Sequence, residues 1–460
     1  MKTIIVGAGA TGLATAYLLA KQGHEVEIVE SSDRVGGLLS TFDVGNGTRL
    51  EYFYHHFFTH DAEMNWLLSE LGLADDILFK TSTMAVYRNG QHFPFNGIRD
   101  LLSFSAMGWL ARFRFGISSA LLAYRRKYSQ CESQSALNWF YSHAGKDATE
   151  SIWRPMLEVK FGEEADKIPL AWIASRLRQR VLSRKSGSES LGYLKGSLQR
   201  LSDTLEQALS GMGVKFRLQS PVNRLVSNRV NQPTLELISG ETIEAERVVF
   251  TIPTCHLAPI FSTADPEYAT RLGSMEYLGA FCTVLSLNEQ LANAYWTNIA
   301  DGSCDFGGVI EQTHLVPPSE YDGQNLVYLS RYVAQQDRMW SMTDDQILSM
   351  QLDQLERVYD RELRTKLNRF WVFRTRTAAP LTGMGFRDQV PPFASPIQNV
   401  YVASMCHLYP EERSVNNSIR VAAELMRAMG ESEAWQQVPS GISEAGQIGH
   451  VDEPAIRRAA

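Results

Sequence analysis

Apolar and polar positions change their period several times along the chain, and each change predicts an element. Thr3-Ile4-Ile5-Val6 is an unbroken apolar and β-branched run, the pattern of a parallel strand covered on both faces. Leu13, Ala16, Tyr17 and Ala20 then recur at three- and four-residue steps, which predicts a helix ended by a left-handed cap at Gly23. Glu25 to Glu30 alternates as a second strand. Tyr87 to Phe95 predicts a hairpin turning at Asn89-Gly90, and Leu101 to Ala123 predicts an apolar helix. Residues 130 to 186 continue as helices. Gly213 to Leu218, Pro221 to Leu225 and Arg247 to Thr251 read as strands, with a hairpin from Leu235 to Glu244. Ala280 to Leu285, Asn325 to Leu329 and Arg369 to Arg374 are β-rich, with a helix from Asp344 to Tyr359 before the last of them. Asn399 to Met405 contains a final strand, and a helix begins near Val415. From Glu431 onward the chain is polar and aperiodic, which predicts a flexible tail over 431–460.

The junction of the first strand and helix carries the clearest chemistry. Gly7-Ala8-Gly9-Ala10-Thr11-Gly12 reads G-x-G-x-x-G: the first glycine permits the tight turn, the second lets a pyrophosphate approach the backbone, and the third lets helix and strand pack closely. The helix then points free N–H groups and a partial positive charge at whatever the turn holds, which favours phosphate. Glu30 ends the second strand where an acid takes a ribose 2′-hydroxyl, and it disfavours a ribose carrying a 2′-phosphate.

Past Glu30 the sequence Glu30-Ser31-Ser32-Asp33-Arg34-Val35-Gly36-Gly37 has the form E-x-x-x-R-x-G-G. Together with the upstream turn it resembles the N-terminal motif of the flavin-containing amine oxidase superfamily, which includes monoamine oxidases, protoporphyrinogen oxidases, phytoene desaturases and UDP-galactopyranose mutases. The resemblance is dense over residues 3 to 38 and recurs afterwards in short blocks. It implies an α/β protein with a Rossmann-like, discontinuous FAD-binding domain and a second, mixed α+β substrate domain. FAD is the cofactor it implies, with Gly7, Gly9, Ala10, Thr11, Gly12, Glu30, Ser31, Arg34, Gly36, Gly37 and Leu38 at its binding site. Arg34 would offset phosphate charge or brace the loop. In the aromatic run Arg49 to Phe58, His56, with His55 second, takes the place of a histidine that faces the flavin in the mutases. Val222 stands where the family's backbone contacts adenine. Ser404 and Met405 follow the C-terminal strand, although the family's usual Gly-Asp pair is here Ala403-Ser404, so a familiar acidic contact is missing. The helix from Val415 would aim its N-terminus at the isoalloxazine ring, with Ser414 as N-cap and Asn416 and Asn417 reaching the ring carbonyls. Trp371, Arg374, Arg376 and Pro380 lie where the superfamily sends side chains toward the active-site cavity, and His56 and Arg374 are the catalytic candidates.

The same blocks divide the chain. Residues 1–80, 190–255 and 393–430 are expected in the FAD domain, and 81–189 and 256–392 in the substrate domain. Composition agrees with an enzyme of two domains: 460 residues exceed what one core usually serves, and 44% are hydrophobic. A net charge of -7 gives no electrostatic reason to expect nucleic acid. The five cysteines are scattered without C-x-x-C, which predicts reduced thiols and no metal site. Met1-Lys2 runs directly into the first strand, so no signal peptide is expected and the chain reads as cytoplasmic. Arg112 and Arg114 argue against a membrane-spanning helix over Leu101 to Ala123; packing within the second domain is the expectation, ahead of peripheral membrane contact. Arg154, Lys160, Arg176, Arg178 and Arg180 make one stretch basic, and a solvated helix face is its commoner fate.

No second G-x-G-x-x-G appears between residues 40 and 400, which argues against the two-nucleotide layout of NAD(P)H-dependent disulfide reductases. The leading expectation is an FAD-dependent oxidoreductase that removes a hydride from a small organic substrate, an amine, porphyrinogen-like or polyene-like, to flavin N5. One alternative is a mutase-like enzyme using reduced flavin as nucleophile on a sugar nucleotide, and another is a flavin-fold protein that binds without turnover.

Overall fold

The computed structural model describes residues 1–125, 127–185, 188–226 and 232–439. A five-stranded parallel sheet runs in the order Lys215–Arg217, Glu25–Val29, Lys2–Val6, Arg247–Phe250, Val400–Val402. The apolar run at the N-terminus takes the central place, where Ile4 and Ile5 lose all solvent contact, one to each face. Helix α1 (Ala10–Lys21) leaves this strand through the glycine turn. The sheet thus draws its strands from three distant stretches of chain.

The excursions between those stretches build a seven-stranded sheet ordered Leu367–Pro380, Tyr277–Leu287, Asn325–Val333, Gly308–Glu311, Trp296–Ile299, Met84–Arg88, Gln91–Pro94. Its pairs are antiparallel except Trp296–Ile299 against Met84–Arg88. Tyr277–Leu287 is buried along its whole length, so it is covered on both faces. The hairpin at Asn89-Gly90 forms as expected, with φ of 52° and 75° in the turn. A smaller antiparallel sheet of Phe57–Phe58, Ser188–Leu194 and Ile77–Ser82 connects the two halves. The hairpin Thr41–Gly45 with Thr48–Glu51 has no counterpart in the sequence reading.

Helices α2 (Ala62–Glu70), α3 (Ile98–Ser103), α4 (Trp109–Ala123), α5 (Arg154–Phe161) and α6 (Leu170–Leu182) lie in the same excursion. The single helix expected over Leu101 to Ala123 is therefore two. Phe104 leaves the helical path to pack fully buried against Phe93 and Phe95, with ring centroids 4.7 and 5.7 Å away, and extended Gly108 restarts the chain as N-cap of α4. The Asp147 carboxylate accepts from the Gly108 N–H at 2.8 Å and fixes this break.

After Val400–Val402 the chain forms α7 (Val415–Ala428), which packs on α1, and then α8 (Ser432–Gln437). Helix α8 corrects the expected tail. Ala434 and Val438 are buried in the core of the parallel-sheet half, and Glu431 accepts from Arg247 Nη1 at 2.9 Å and lies 3.3 Å from His24. Two apolar contacts and one short turn are too brief to register as periodicity in a polar segment. The rest of that expected tail, 440–460, lies outside the described residues.

Candidate active site

The glycine turn has the shape that a dinucleotide phosphate requires. A Cβ on Gly12 would stand 2.0 Å from the Gly7 carbonyl oxygen, so only glycine lets α1 start this close to its strand. A Cβ on Gly9 would meet nothing within 4 Å: this residue faces open space, and as N-cap of α1 it offers no side-chain oxygen to the helix N–H groups. That face is left to a ligand. Ala10 and Thr11 form the first turn of α1. The loop carrying Gly36 and Gly37 lies against the turn, with the Gly36 N–H donating to the Ala8 carbonyl at 2.8 Å. Leu38 continues from it, partly buried beside the inner core of the second sheet.

Glu30 braces this assembly. Its carboxylate accepts from the Ala8 N–H at 2.8 Å, the Ser32 N–H at 2.8 Å and the Ser31 hydroxyl at 3.1 Å. Burial alone would raise its pKa, but these donors outweigh it and hold the carboxyl below its ordinary value. Arg34 pairs with its own neighbour, Asp33, at 2.9 Å and is half exposed. Val222 opens its strand beside the same half of the protein, packed near Val29 and Leu237.

At the other end, the Ser414 hydroxyl accepts from the Asn417 N–H at 3.0 Å and caps α7, as expected. The two asparagines bond within the protein. Asn416 Oδ1 accepts from the Met64 N–H at 2.9 Å, capping α2, and Asn417 Nδ2 donates to the Glu412 carbonyl at 2.7 Å. Both side chains are buried and engaged in holding α7 in place. Ser404 is buried and Met405 half-buried at the strand's exit. His407 Nε2 donates to the Pro391 carbonyl at 2.9 Å, so its Nδ1 accepts from the Ser404 N–H at 3.1 Å. Burial pushes its pKa down to about 4.

Between these ends a cavity is lined by Lys160 and Phe161 of α5, Trp172 of α6, Ala379, Pro380, Thr382 and part of the 405–413 segment. Behind Arg413 the 52–58 segment packs on the inner face of the seven-stranded sheet. Tyr54 stands edge-on to Trp296 at 4.8 Å, and Tyr52 stacks on Phe373 at 4.5 Å. His55 Nδ1 donates to the Phe53 carbonyl at 2.6 Å, which leaves Nε2 as an acceptor; His56 Nδ1 lies 3.1 Å from the Tyr295 hydroxyl. Burial, reinforced by Arg413, lowers the His55 pKa to about 4; burial, reinforced by Arg180, lowers that of His56 to about 3. Both rings are neutral at pH 7.

Charge gathers on one side of this cavity. Lys160 pairs with Glu412, and Arg176 lies 3.7 Å from the same carboxylate. Arg413 donates to the Tyr332 hydroxyl from Nη2 at 3.1 Å and Nε at 3.3 Å, while the Lys160 ammonium sits 4.9 Å from the Tyr332 ring centroid. Burial opposes ionisation of both acids here, yet the cations prevail: Glu412 falls to about 2, and the Tyr332 phenol drops below its usual value. Three cations face one carboxylate. The commoner fate expected for the basic stretch is thus only half correct, because Arg154 does lie outward with Glu158 and Asp166 whereas Lys160, Arg176 and Arg180 turn inward. Trp172, Arg176 and Arg180 recur every four residues on α6, a spacing that marks one helical face.

Arg374 is a correction. It lies opposite Phe281, pairs with Asp344 and donates to the Met342 carbonyl at 3.3 Å, all on the outer face of the sheet. Arg376 follows it outward and stacks over Trp340 at 4.2 Å. Trp371, Phe373 and Ala378 are the residues of that strand that reach the inner core.

The model of the flavin-containing amine oxidoreductase family matches residues 10–425, nearly the whole path from glycine turn to α7. This chain belongs to that family. It is an FAD-dependent oxidoreductase, and its fold is the flavin amine oxidoreductase fold. A 15-cis-phytoene desaturase of Solanum lycopersicum is 23% identical over 433 residues, spanning 88% of this chain and 73% of that protein. Among solved structures, reduced UDP-galactopyranose mutase superposes with a TM-score of 0.73 at 14% identity, covering 97% of each chain. Cyclohexylamine oxidase from Brevibacterium oxydans gives 0.69 at 16%, covering 94% of this chain and 99% of that one. In this family setting, the open face of Gly9, the Glu30 carboxylate and the N-termini of α1 and α7 are the features that would hold FAD. Sequence reasoning missed Tyr332 and Arg413 as a pair, since they lie 81 positions apart.

Proposed function

We propose that this enzyme removes a hydride from a carbon of an organic donor, an amine, a porphyrinogen-like or a polyene-like compound, held against the aromatic wall of the cavity. Bound FAD supplies the two-electron acceptor, with N5 taking the hydride. The protein's part is to position the donor and keep water out. Tyr52, Tyr54, Trp296 and Phe373 give it a dry, rigid wall. The neutral rings of His55 and His56 offer no proton at pH 7, so the donor's nitrogen or double bond meets no acid there. A proton released as the hydride leaves would be taken by the phenolate form of Tyr332, the form that Arg413 and Lys160 favour.

The observation that carries this reading is the aromatic pair Tyr54 and Tyr332 gathered at Arg413, two residues before the first residue of α7, a helix whose N-terminus would favour negative charge on a ring bound there. Likeness to a phytoene desaturase supports the polyene class, and likeness to a cyclohexylamine oxidase the amine class. Mixing the flavoprotein anaerobically with members of the three donor classes tests it. Bleaching of the oxidised flavin band by one class is the expected outcome; no bleaching by any class, with flavin bound, contradicts the reading.

A second reading is favoured by one observation. Lys160, Arg176 and Arg413 outnumber Glu412, an excess that suits a diphosphate. Turnover of a UDP-sugar that requires prior flavin reduction would support this mutase-like chemistry in place of hydride removal.

A further inference from the structure

The expectation that α4 packs within the second domain accounts for only one of its sides. Ala111, Phe115, Ser118 and Leu122 are buried, and the helix rests there on α6. The other side is apolar and uncovered: Trp109 is 78% exposed, Phe113 61% and Tyr124 72%, with Leu110, Ile117 and Leu121 also exposed among them. At about 100° per residue these six positions fall within an arc of about 120°, a continuous stripe. Helix α3 extends it with exposed Ile98 and Leu102, and packs so closely that a Cβ on Gly116 would stand 3.3 Å from Leu101 Cδ2. Exposed apolar area gathered this densely marks an interaction surface.

Charge decides the occupant. No Asp or Glu occurs between Asp100 and Glu132, while Arg112, Arg114, Arg125, Arg126 and Lys127 all fall in that interval, in a chain whose net charge is -7. Arg112 donates to the Met107 carbonyl at 2.9 Å and Arg114 to the His143 carbonyl at 3.2 Å, so the two arginines of the helix turn back to backbone and leave the stripe apolar. Exposed Arg99 and Lys127 stand at its two ends. Trp109 opens the stripe and Tyr124 closes it, the residue types that settle at a membrane–water boundary. No helix among the described residues is long and apolar enough to cross a membrane, so α4 would lie along a surface.

We propose that the α3–α4 face docks on an anionic lipid bilayer, burying Trp109, Leu110, Phe113, Ile117 and Leu121 at the headgroup boundary with the flanking cations on the lipid phosphates. A second copy seated on the same face would bring these cations against their own kind, which disfavours self-association there. Because α6 carries Trp172 and Arg176 to the cavity and supports α4 on another side, docking would hold the substrate domain close to the bilayer.

Flotation of the full FAD-loaded chain with vesicles of phosphatidylcholine alone, or mixed with phosphatidylglycerol, tests this. The wild type should float with the mixed vesicles and at least tenfold less with phosphatidylcholine alone. A Phe113→Asp/Ile117→Asp variant, and separately an Arg99→Glu/Lys127→Glu variant, should each bind the mixed vesicles at least tenfold more weakly at unchanged flavin content. If the aspartates reduce flavin content, Phe113→Ser/Ile117→Ser replaces them, with weakened flotation again expected. Absence of flotation by the wild type, or equal flotation by the residue 113/117 variant, overturns the proposal. So does a wild-type dimer in light scattering that this variant converts to monomer, because the face then belongs to a second copy.

Discussion

The two ends of the proposed FAD site are built in opposite ways. The phosphate-binding end is a local device: turn, helix and bracing acid lie within residues 7–37, and its exactness comes from backbone contacts that admit no side chain. The cavity end is assembled from residues 52–58, 160, 172–180, 332, 373 and 411–413, and what fixes it is burial and charge balance among side chains that meet only after folding. A local device should fail by losing the cofactor, and the assembled one by losing chemistry while the cofactor stays.

Gly12→Val should break the comparison most severely on the first side. Its side chain would start inside van der Waals contact of the Gly7 carbonyl, so we expect FAD retention after gel filtration to fall at least a hundredfold, about 2.7 kcal/mol. Arg413→Met should do the reverse, keeping flavin absorbance per chain while slowing flavin reduction by roughly a hundredfold, because Tyr332 loses both of its N–H donors. Glu30→Gln is milder: one acceptor oxygen becomes a donor facing the Ala8 or Ser32 N–H, and titration with FAD should show about tenfold weaker binding, ~1.4 kcal/mol.

The smallest effect concerns pH. With folded pKa values of about 4 and 3, His55 and His56 stay neutral where the unfolded chain, near 6.5, already binds protons. Stability therefore falls as pH drops from about 6.5 towards the folded values. Replacing both by glutamine should flatten that limb, raising the Tm at pH 5 relative to its value at pH 7 by about 3 °C compared with wild type.

The same contrast governs what the sequence revealed. The glycine turn was legible because its chemistry demands consecutive residues, and Ser414 was legible because an N-cap is a local signal. Arg374 was misplaced by the parity of a strand: it stands next to Phe373, but successive side chains point to opposite faces, and the partner register that sets the face is not local. Asn416 and Asn417 have the polarity a flavin ligand needs, yet it is spent on α2 and the Glu412 carbonyl, partners 352 and 5 positions away. The inward turn of Lys160, Arg176 and Arg180 was half legible in the four-residue spacing on α6. What it lacked was Glu412, which no local pattern attaches to Lys160 and Arg176, and Glu189, the partner of Arg180.

The central claim is that the cavity end performs chemistry on a cofactor held elsewhere, and anaerobic reduction of the Arg413→Met flavoprotein by a donor that bleaches the wild type tests it most directly. The account predicts full FAD occupancy with reduction slowed about a hundredfold. Loss of FAD in step with loss of activity, at an unchanged reduction rate per bound flavin, would contradict it.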